Sequence, residues 1–341
     1  MIHTTNSPLE VAAVTHPGMA GKLNEDRFAV SSYRVSETDA TPSVFAVVSD
    51  GIGGRRAGEV AAEMAVETIS HMVAQSDIRH PLAILDHAIQ VTSDAIASKA
   101  KDDTQRLGMG TTCACAWVIG SQLFIASVGD SRVYLLRNGS LMQLTVDHTW
   151  VQEAVEKGIL GPEDVRNHPN VHVIRRYLGS SKTPQADTRL RLAKDETDTQ
   201  ACSNQGLRLL PGDLLLLCTD GLTDVVEDAD IEPTVRGLEL QSAAQALVDL
   251  ACSREGNDNI TVVLMLVPWE GPTKKKRNFW RWAMLGLAGL ILLALVIVFV
   301  TWAAFNFILP PAATLTPPPH SSYYVVVPVF VRDVVVPVPA G

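Results

Sequence analysis

Two uninterrupted runs of apolar residues in this chain each end in an Asp-Gly pair. Residues 44–48 lead to Asp50-Gly51, and residues 214–218 lead to Asp220-Gly221. Continuous apolar runs of this length, bounded by glycine, predict strands that are buried on both faces. A rigid strand end fixes the direction of an aspartate, and glycine lets the backbone approach a ligand closely. A single strand end of this kind is usually an ordinary turn with a solvated aspartate. A functional role for Asp50 therefore depends on whether other carboxylates lie at the same place.

The rest of the apolar pattern alternates between strand and helix periods. Apolar stripes at helical spacing and a proline at a first helical position predict the long helices. Short β-branched segments bounded by turn residues predict the strands, and Asn138-Gly139 predicts a hairpin turn. Helices are predicted over residues 57–73, 81–101, 150–157 and 240–252, and strands over 11–15, a segment through Val30 and Tyr33, 111–119, 123–128, 132–136, 141–144 and 260–267.

Carboxylates recur at the predicted strand ends. Asp50, Asp130 and Asp220 each follow a strand, and Asp258 precedes the last one. Since the start of one antiparallel strand lies beside the end of its neighbour, these groups and Glu25 can gather at one rim. Carboxylates packed together cannot all stay ionised without cations.

An all-oxygen ligand set favours Mg²⁺ or Mn²⁺ and argues against zinc. Two such ions that share a bridging aspartate can activate a water and hold a phosphoryl oxygen. The pattern therefore predicts metal-assisted hydrolysis of a phosphoester. Glu25 and Asp26 are adjacent, so on a strand they point to opposite faces. We expect one of them to bind metal and the other to hold a water or a neighbouring group.

The composition changes near Pro268. Residues 282–309 contain no charged side chain, and this length exceeds the roughly 20 residues that a membrane-spanning helix needs. Five basic residues precede the segment, whereas Arg332 alone follows it, which predicts that the N-terminal part is cytoplasmic. We therefore expect a domain over residues 1–268, a basic linker over 269–281, one transmembrane helix over 282–309 and a Pro/Val-rich tail outside the membrane over 310–341.

The net charge and the cysteines argue against two kinds of binding site, one for nucleic acid and one for zinc. The whole chain has a net charge of −9, and residues 1–269 hold 22 basic and 35 acidic side chains, a balance of −13. Such an acidic domain argues against nucleic-acid binding, which needs clustered basic surface. The five cysteines are odd in number and match no zinc spacing. In a reducing compartment they are expected to be buried free thiols.

Six short motifs occur in order along the chain. Together they resemble the metal-dependent Ser/Thr protein phosphatases, the PPM or type 2C family, in their bacterial form, over residues 8–268. The resemblance implies an α+β fold, a four-layer α/β/β/α sandwich of two antiparallel sheets flanked by helices. The motifs are Asn24-Glu25-Asp26, Asp50-Gly51-Ile52-Gly53-Gly54, Gly108-Met109-Gly110-Thr111-Thr112, Gly129-Asp130-Ser131-Arg132, Thr219-Asp220-Gly221 and Asn257-Asp258-Asn259-Ile260-Thr261.

The resemblance also implies roles for individual residues. Asp50 bridges two Mn²⁺ or Mg²⁺ ions. Glu25 and the Gly51 carbonyl complete one ion's protein ligands, and Asp220 and Asp258 hold the other ion.

Two further carboxylates have implied roles. Asp130 shares a third, weaker metal site with Asp220. Asp26 orients the attacking water, so Asp26 and Asp50 carry the chemistry. A substrate-covering flap is expected within residues 150–176.

The chain departs from the family pattern at two positions. Gly21 stands where the family usually has a phosphate-binding arginine, and Lys22 beside it is the remaining candidate, together with Arg55 and Arg56. Lysine does not reproduce bidentate phosphate binding. Ile52 stands where some relatives place a histidine as a general acid, and none of the nine histidines is a convincing replacement.

The favoured function is hydrolysis of phosphoserine and phosphothreonine on proteins by a membrane-anchored enzyme that counters a bacterial Ser/Thr kinase. An alternative is a catalytically weak or inactive member of the family that binds phosphoproteins or acts as a membrane scaffold. Hydrolysis of a small phosphoester metabolite is a third reading.

Overall fold

Two antiparallel sheets form the centre of the domain. The computed structural model describes residues 1–53, 57–268 and 292–304, and the chain divides into two units, Met1–Gly271 and Pro272–Gly341. The strands are β1 Ile2–His3, β2 Glu10–His16, β3 Arg27–Arg34, β4 Pro42–Ser49, β5 Gly51–Ile52, β6 Gly110–Thr111, β7 Cys113–Ile119, β8 Gln122–Val128, β9 Arg132–Arg137, β10 Ser140–Gln143, β11 Leu207–Arg208, β12 Leu214–Cys218 and β13 Ile260–Leu266.

Helices cover both outer faces of the sheet pair. The α-helices are α1 Ala57–Gln75, α2 Pro81–Asp102, α3 Trp150–Glu156, α4 Asp198–Ser203, α5 Asp220–Thr223, α6 Asp228–Val235 and α7 Leu240–Ser253, and two short 3-10 helices span Thr104–Arg106 and Pro162–Asp164. The first sheet has the order β1-β3-β4-β7-β8-β11, the second has the order β10-β9-β12-β13-β2, and β5 pairs with β6.

The two Asp-Gly strands are covered on both faces, which explains their continuous apolar sequences. In β4, Val44, Ala46 and Val48 pack against the second sheet, whereas Phe45 and Val47 pack against α1 and α2. In β12, Leu215 and Leu217 face the first sheet, and alternate residues pack against α6 and α7. The predicted sandwich of two antiparallel sheets flanked by helices is confirmed.

Strand register brings the predicted carboxylates to one end of the sandwich. The start of β3 lies beside the end of β4, with Arg27 opposite Ser49. The end of β12 lies beside the starts of β9 and β13, with Cys218 opposite both Arg132 and Val262. The rim is thus built by both sheets. Glu25, Asp26 and Asp50 adjoin strands of the first sheet, Asp220 and Asp258 adjoin strands of the second, and Asp130 lies in the turn that joins β8 of the first sheet to β9 of the second.

Most predicted elements are present, with a few differences. The strand predicted over 111–119 is interrupted at Thr112, which separates β6 from β7. Helix α6 was not predicted, since it contains Pro233 and lacks a long apolar stripe. All five cysteines are free, but only Cys113, Cys115 and Cys218 are buried. The expectation of buried thiols is therefore wrong for the exposed Cys202.

The predicted C-terminal segments lie largely outside the described residues. Residues 292–304 of the predicted 282–309 span are helical. Among the residues that the structure describes, no helix has the length and apolarity needed to cross a bilayer. Residues 54–56, the basic linker over 269–281 and the tail over 310–341 lie outside the described part of the chain.

Candidate metal centre

An acidic cleft of about 990 Å³ opens at the rim where both sheets end. Four predicted metal-binding carboxylates line this acidic cleft, namely those of Glu25, Asp50, Asp220 and Asp258, and so does Gly51. Asp26 and Asp130 lie beneath it, with only 2% and 6% of their surface exposed. The structure therefore brings together all the residues that the sequence predicted for metal binding.

The carboxyl groups of Asp50 and Asp220 lie close enough to affect each other's protonation. Burial raises the pKa of Asp50 well above its ordinary value, and the negative charges of Asp220 and Asp26 raise it further. Burial also raises the pKa of Asp220. A bound cation would relieve this repulsion.

Only one of the two carboxylate oxygens of Asp26 accepts hydrogen bonds from the described residues. Its Oδ2 accepts hydrogen bonds from the hydroxyls of Thr219 at 2.8 Å and Thr261 at 2.7 Å, whereas its buried Oδ1 has no partner. Burial raises the pKa of Asp26 to about 7, although both threonine hydroxyls oppose the shift. Asp26 therefore presents one free oxygen, and the prediction that it faces away from Glu25 stays a prediction.

Glu25 lies at the N-terminus of α1. Burial raises the pKa of Glu25, whereas the backbone N–H groups of Glu59 and Gly58 lower it, because the helix dipole favours a negative charge at this end. The backbone N–H of Glu25 donates to Asn259 Oδ1 at 2.7 Å. A Cβ atom on Gly58 would lie 2.6 Å from the Gly51 carbonyl oxygen and 3.0 Å from the Glu25 carboxyl carbon. The absence of a side chain at Gly58 is thus what permits both predicted ligands to approach the helix.

Asp130 is positioned by a clamp on the turn before it. His148 N donates to the Gly129 carbonyl at 2.9 Å, and Gly129 N donates to His148 Nδ1 at 3.0 Å. Because Nδ1 accepts, Nε2 carries the proton that is shared with Asp187 Oδ2 at 3.0 Å. Among the described residues, Asp130 Oδ1 is buried without a hydrogen-bond partner. Burial raises the pKa of Asp130 well above its ordinary value.

The donor set fits divalent cations that prefer oxygen. Asp26 Oδ1, Asp130 Oδ1 and Asp220 Oδ1 are buried carboxylate oxygens without any hydrogen-bond partner in the described residues. Buried polar atoms are normally paired, so three orphaned oxygens at one site indicate a missing positive partner. With carboxylates and a backbone carbonyl as the donors, Mg²⁺ or Mn²⁺ is the matching class of ion.

The predicted phosphate-binding side of the cleft lacks an arginine at position 21. Lys22 lines the cleft, and its predicted contact with phosphate stays a prediction. Gly21 is exposed and has a positive φ of 68°, a conformation that an arginine adopts only with strain. The turn is therefore adapted to glycine.

His172 was not among the predicted site residues. It lines the acidic cleft, and its Nδ1 lies 3.3 Å from Asp224 Oδ2. His172, Asp220 and Asp224 offer ligand atoms within 4.8 Å of one another. The sequence carried no signal for His172, because it is an exposed histidine in a segment without a regular pattern. The roles of Thr219, Thr261 and Asn259 were also missed, although all three belong to quoted motifs.

The predicted flap leaves and rejoins the domain at adjacent points. Thr149 and Ile174 form an isolated bridge, and Arg175 N donates to the His148 carbonyl at 2.7 Å. Within the segment, Trp150 stacks on His168 with ring centroids 4.8 Å apart. His172 and Ile174 at its returning end line the acidic cleft.

Comparison with known proteins places this architecture in a family. A family model described as protein phosphatase 2C matches residues 18–251. The serine/threonine phosphatase stp of Listeria innocua is 37% identical over 256 residues, which cover 74% of this chain and 93% of that protein. The serine/threonine protein phosphatase PstP of Mycobacterium tuberculosis is 35% identical over 217 residues, or 64% of this chain. This match spans only 39% of the length of PstP.

Solved structures agree with the sequence relatives. The M. tuberculosis phosphatase PstP/Ppp superposes with a TM-score of 0.64 and 32% identity, covering 76% of this chain and 99% of that chain. The PstP catalytic domain in complex with 2 manganese ions gives a TM-score of 0.62 and 31% identity, covering 76% and 97%. The family resemblance found in the motifs is thereby confirmed.

We expect Gly58→Ala to weaken binding of Mn²⁺ by about 10–100-fold, the range seen when groups that support a metal ligand are changed. The added methyl group would push apart the Gly51 carbonyl and the Glu25 carboxylate. Isothermal titration with Mn²⁺ measures the effect. Gly120→Ala is the control, since its Cβ would meet only Thr41 at 3.7 Å and it follows the far end of β7. Its positive φ of 61° strains an alanine, so this variant shows the effect of backbone strain away from the cleft on Mn²⁺ binding. Equal affinity in wild type and Gly58→Ala would contradict this account.

In metal-free protein, the Asp26 carboxyl should make stability fall as the pH rises. Its folded pKa of about 7 lies above the ordinary value of 3.8. Between these values the native state binds more protons than the unfolded state, so ΔG of unfolding decreases as the pH rises. This pKa difference corresponds to at most about 4 kcal/mol. Asp26→Asn should therefore be more stable than wild type at pH 7.

Urea unfolding in EDTA at pH 4 and pH 7 measures this difference. Asparagine can still accept both threonine hydroxyls at one atom, so the variant is expected to fold. A stability gap between wild type and Asp26→Asn that does not change with pH would show that Asp26 does not titrate in this range.

Proposed function

Because this chain belongs to the protein phosphatase 2C family, we propose that it hydrolyses phosphoserine and phosphothreonine in proteins. The observation that carries the proposal is the set of three orphaned carboxylate oxygens, on Asp26, Asp130 and Asp220, beneath one cleft. Support also comes from relatives that are named serine/threonine phosphatases and from the relative solved with 2 manganese ions.

The side chains of the acidic cleft divide the tasks. Glu25, Asp50, the Gly51 carbonyl, Asp220 and Asp258 would hold two Mn²⁺ or Mg²⁺ ions, and Asp130 with Asp220 would contribute to a third site. When bound, these ions supply Lewis-acid activation of a water and charge neutralisation at phosphorus.

Other groups would act on the substrate and the water. Asp26 Oδ1, which is free while Oδ2 is fixed by Thr219 and Thr261, can accept a hydrogen bond or a proton from the attacking water. Lys22, at the mouth of the cleft, can attract a phosphoryl group as a point charge.

We further propose that residues 282–309 anchor the domain in the membrane, with the domain cytoplasmic and the tail outside. The absence of charge across this segment and the basic residues before it support the proposal. Anchoring would raise the local concentration of the domain near a membrane-bound Ser/Thr kinase and its products. Kinase substrates at the membrane are therefore the expected partners.

A catalytically weak member of the family that binds phosphoproteins is the second candidate. The observation in its favour is Gly21, whose exposed turn offers no guanidinium to the phosphate. The complete set of carboxylates favours catalysis instead, since a binding module has no need to keep several buried acids unpaired.

The decisive measurement is phosphate release by the full chain with Mn²⁺, on a phosphothreonine peptide and on p-nitrophenyl phosphate. Asp50→Asn should lower kcat/KM at least about 100-fold on both substrates, because it removes the group between the two ions. Asp39→Asn is the matched control, in the exposed loop that joins β3 and β4 at the opposite end of the first sheet. A wild-type chain that binds phosphopeptide but releases no phosphate would support the second candidate.

Membrane anchoring is tested separately by fractionation. The full chain should sediment with membranes and be released by detergent but not by high salt, whereas a chain ending at residue 268 should remain in the supernatant. Release of the full chain by salt alone would contradict a membrane-spanning anchor, because salt disrupts electrostatic attachment and not an inserted apolar helix.

A further inference from the structure

A second cleft adjoins the acidic cleft and has no role in the proposed chemistry. It has a volume of about 1140 Å³ and lies between the flap, β10, the α5–α6 region and residues 191–194. His172 and Asp224 line both clefts. A polypeptide whose phosphorylated residue occupies the acidic cleft can therefore continue directly into the second cleft.

The floor of the second cleft is apolar and rigid. Val146, Val151 and Val226 line it and are 5%, 3% and 1% exposed, so they belong to the packed interior. Leu141 and Met142 of β10 add partly exposed apolar surface. This volume and lining suit the side chains of an extended peptide.

The acidic groups of the second cleft already have partners within the domain. Each of its five carboxylates has a cationic or hydrogen-bonding partner within the domain. The pairs are Asp147 with Arg132 at 2.7 Å, Glu156 with Arg189 at 3.2 Å, Asp224 with His172 at 3.3 Å, Glu227 with Arg166 at 3.6 Å and Asp228 with the Tyr134 hydroxyl at 2.9 Å.

Two cations line the edge of the second cleft, and one of them is already paired. Asp198 accepts from Arg191 at 3.0 Å and also from Arg189 at 3.1 Å, so the charge of Arg191 has a partner within the domain. Lys194 is exposed, and within the described part of the chain it forms no ion pair or hydrogen bond. The second cleft therefore has an unpaired cation at Lys194, in a domain that is acidic overall.

We propose that the second cleft receives the polypeptide that flanks the phosphorylated residue of a protein substrate, and that Lys194 selects substrates with an acidic side chain in this flank. The inference rests on the proposed phosphatase function and adds a substrate class to it. A glutamate or aspartate at the right distance would pair with Lys194, while its neighbours cover the apolar floor.

The experiment uses the full chain and phosphothreonine peptides in which one glutamate is placed at each flanking position in turn. Each peptide has a matched version with glutamine at that position. At the best position, wild type should show a kcat/KM about two- to fivefold higher for glutamate, the effect of a partly exposed ion pair. Added salt should reduce the preference.

Lys194→Glu should abolish or reverse this preference and should favour a peptide with lysine at the same position. Lys182→Glu is the matched control, because it makes the same charge change at an exposed lysine that lines neither cleft. Turnover of p-nitrophenyl phosphate, which is too small to reach the second cleft, should be equal in all three proteins.

Three results would overturn the inference. They are no glutamate preference at any position in wild type, an equal loss of preference in Lys182→Glu, and a Lys194→Glu variant that keeps the preference but loses self-association in sedimentation velocity. The last result would make the second cleft a contact between copies of the chain. If wild type hydrolyses neither substrate, the proposed function fails instead, and fluorescence anisotropy of the same peptides with the same variants then decides whether the cleft selects acidic flanks.

Discussion

Electrostatic repulsion among buried carboxylates is the constraint on which the rest of this structure depends. Four of these carboxyl groups lie close enough to raise one another's pKa. The negative charge of Asp220 raises the pKa of Asp26, Asp50 and Asp130, and the charges of Asp26 and Asp130 raise the pKa of Asp50 further. Burial opposes every one of these charges. The fold tolerates the repulsion because large apolar layers stabilise both sheets around it. Bound cations would relieve the repulsion within this cluster.

Close backbone packing gives that cluster a defined geometry. Gly58 admits the Gly51 carbonyl and the Glu25 carboxylate, while Gly221 lets α5 approach the Asn259 carbonyl, where a Cβ would lie at 2.1 Å. The Asn259 side chain in turn fixes Glu25, because its Oδ1 accepts from the backbone N–H of Glu25. The two sheets are therefore tied together at the rim by contacts that only glycine or a small polar side chain allows.

The sequence was most informative where chemistry follows directly from a local pattern. Asp50 and Asp220 end apolar runs that only a doubly covered strand explains, and the same logic located Asp130 and Asp258. The support around Asp26 could not be found in this way, because its partners Thr219 and Thr261 lie 193 and 235 positions away. Helix α6 was hidden by Pro233, and His172 has no signal besides its position in the folded cleft. Local periodicity predicts elements, whereas pairing between distant segments decides which polar groups meet.

The strands that carry Asp50 and Asp220 open less readily than the exposed segments of the site. The strand residues that precede these two aspartates are enclosed by apolar layers, so displacing the two strand ends by local opening requires nearly the whole unfolding free energy. Lys22, His172 and Asp258 belong instead to exposed segments, whose opening is inexpensive. The site thus has a permanent half and an adjustable half. Ions and substrates can exchange through the adjustable half while the charge that attracts them never leaves its place.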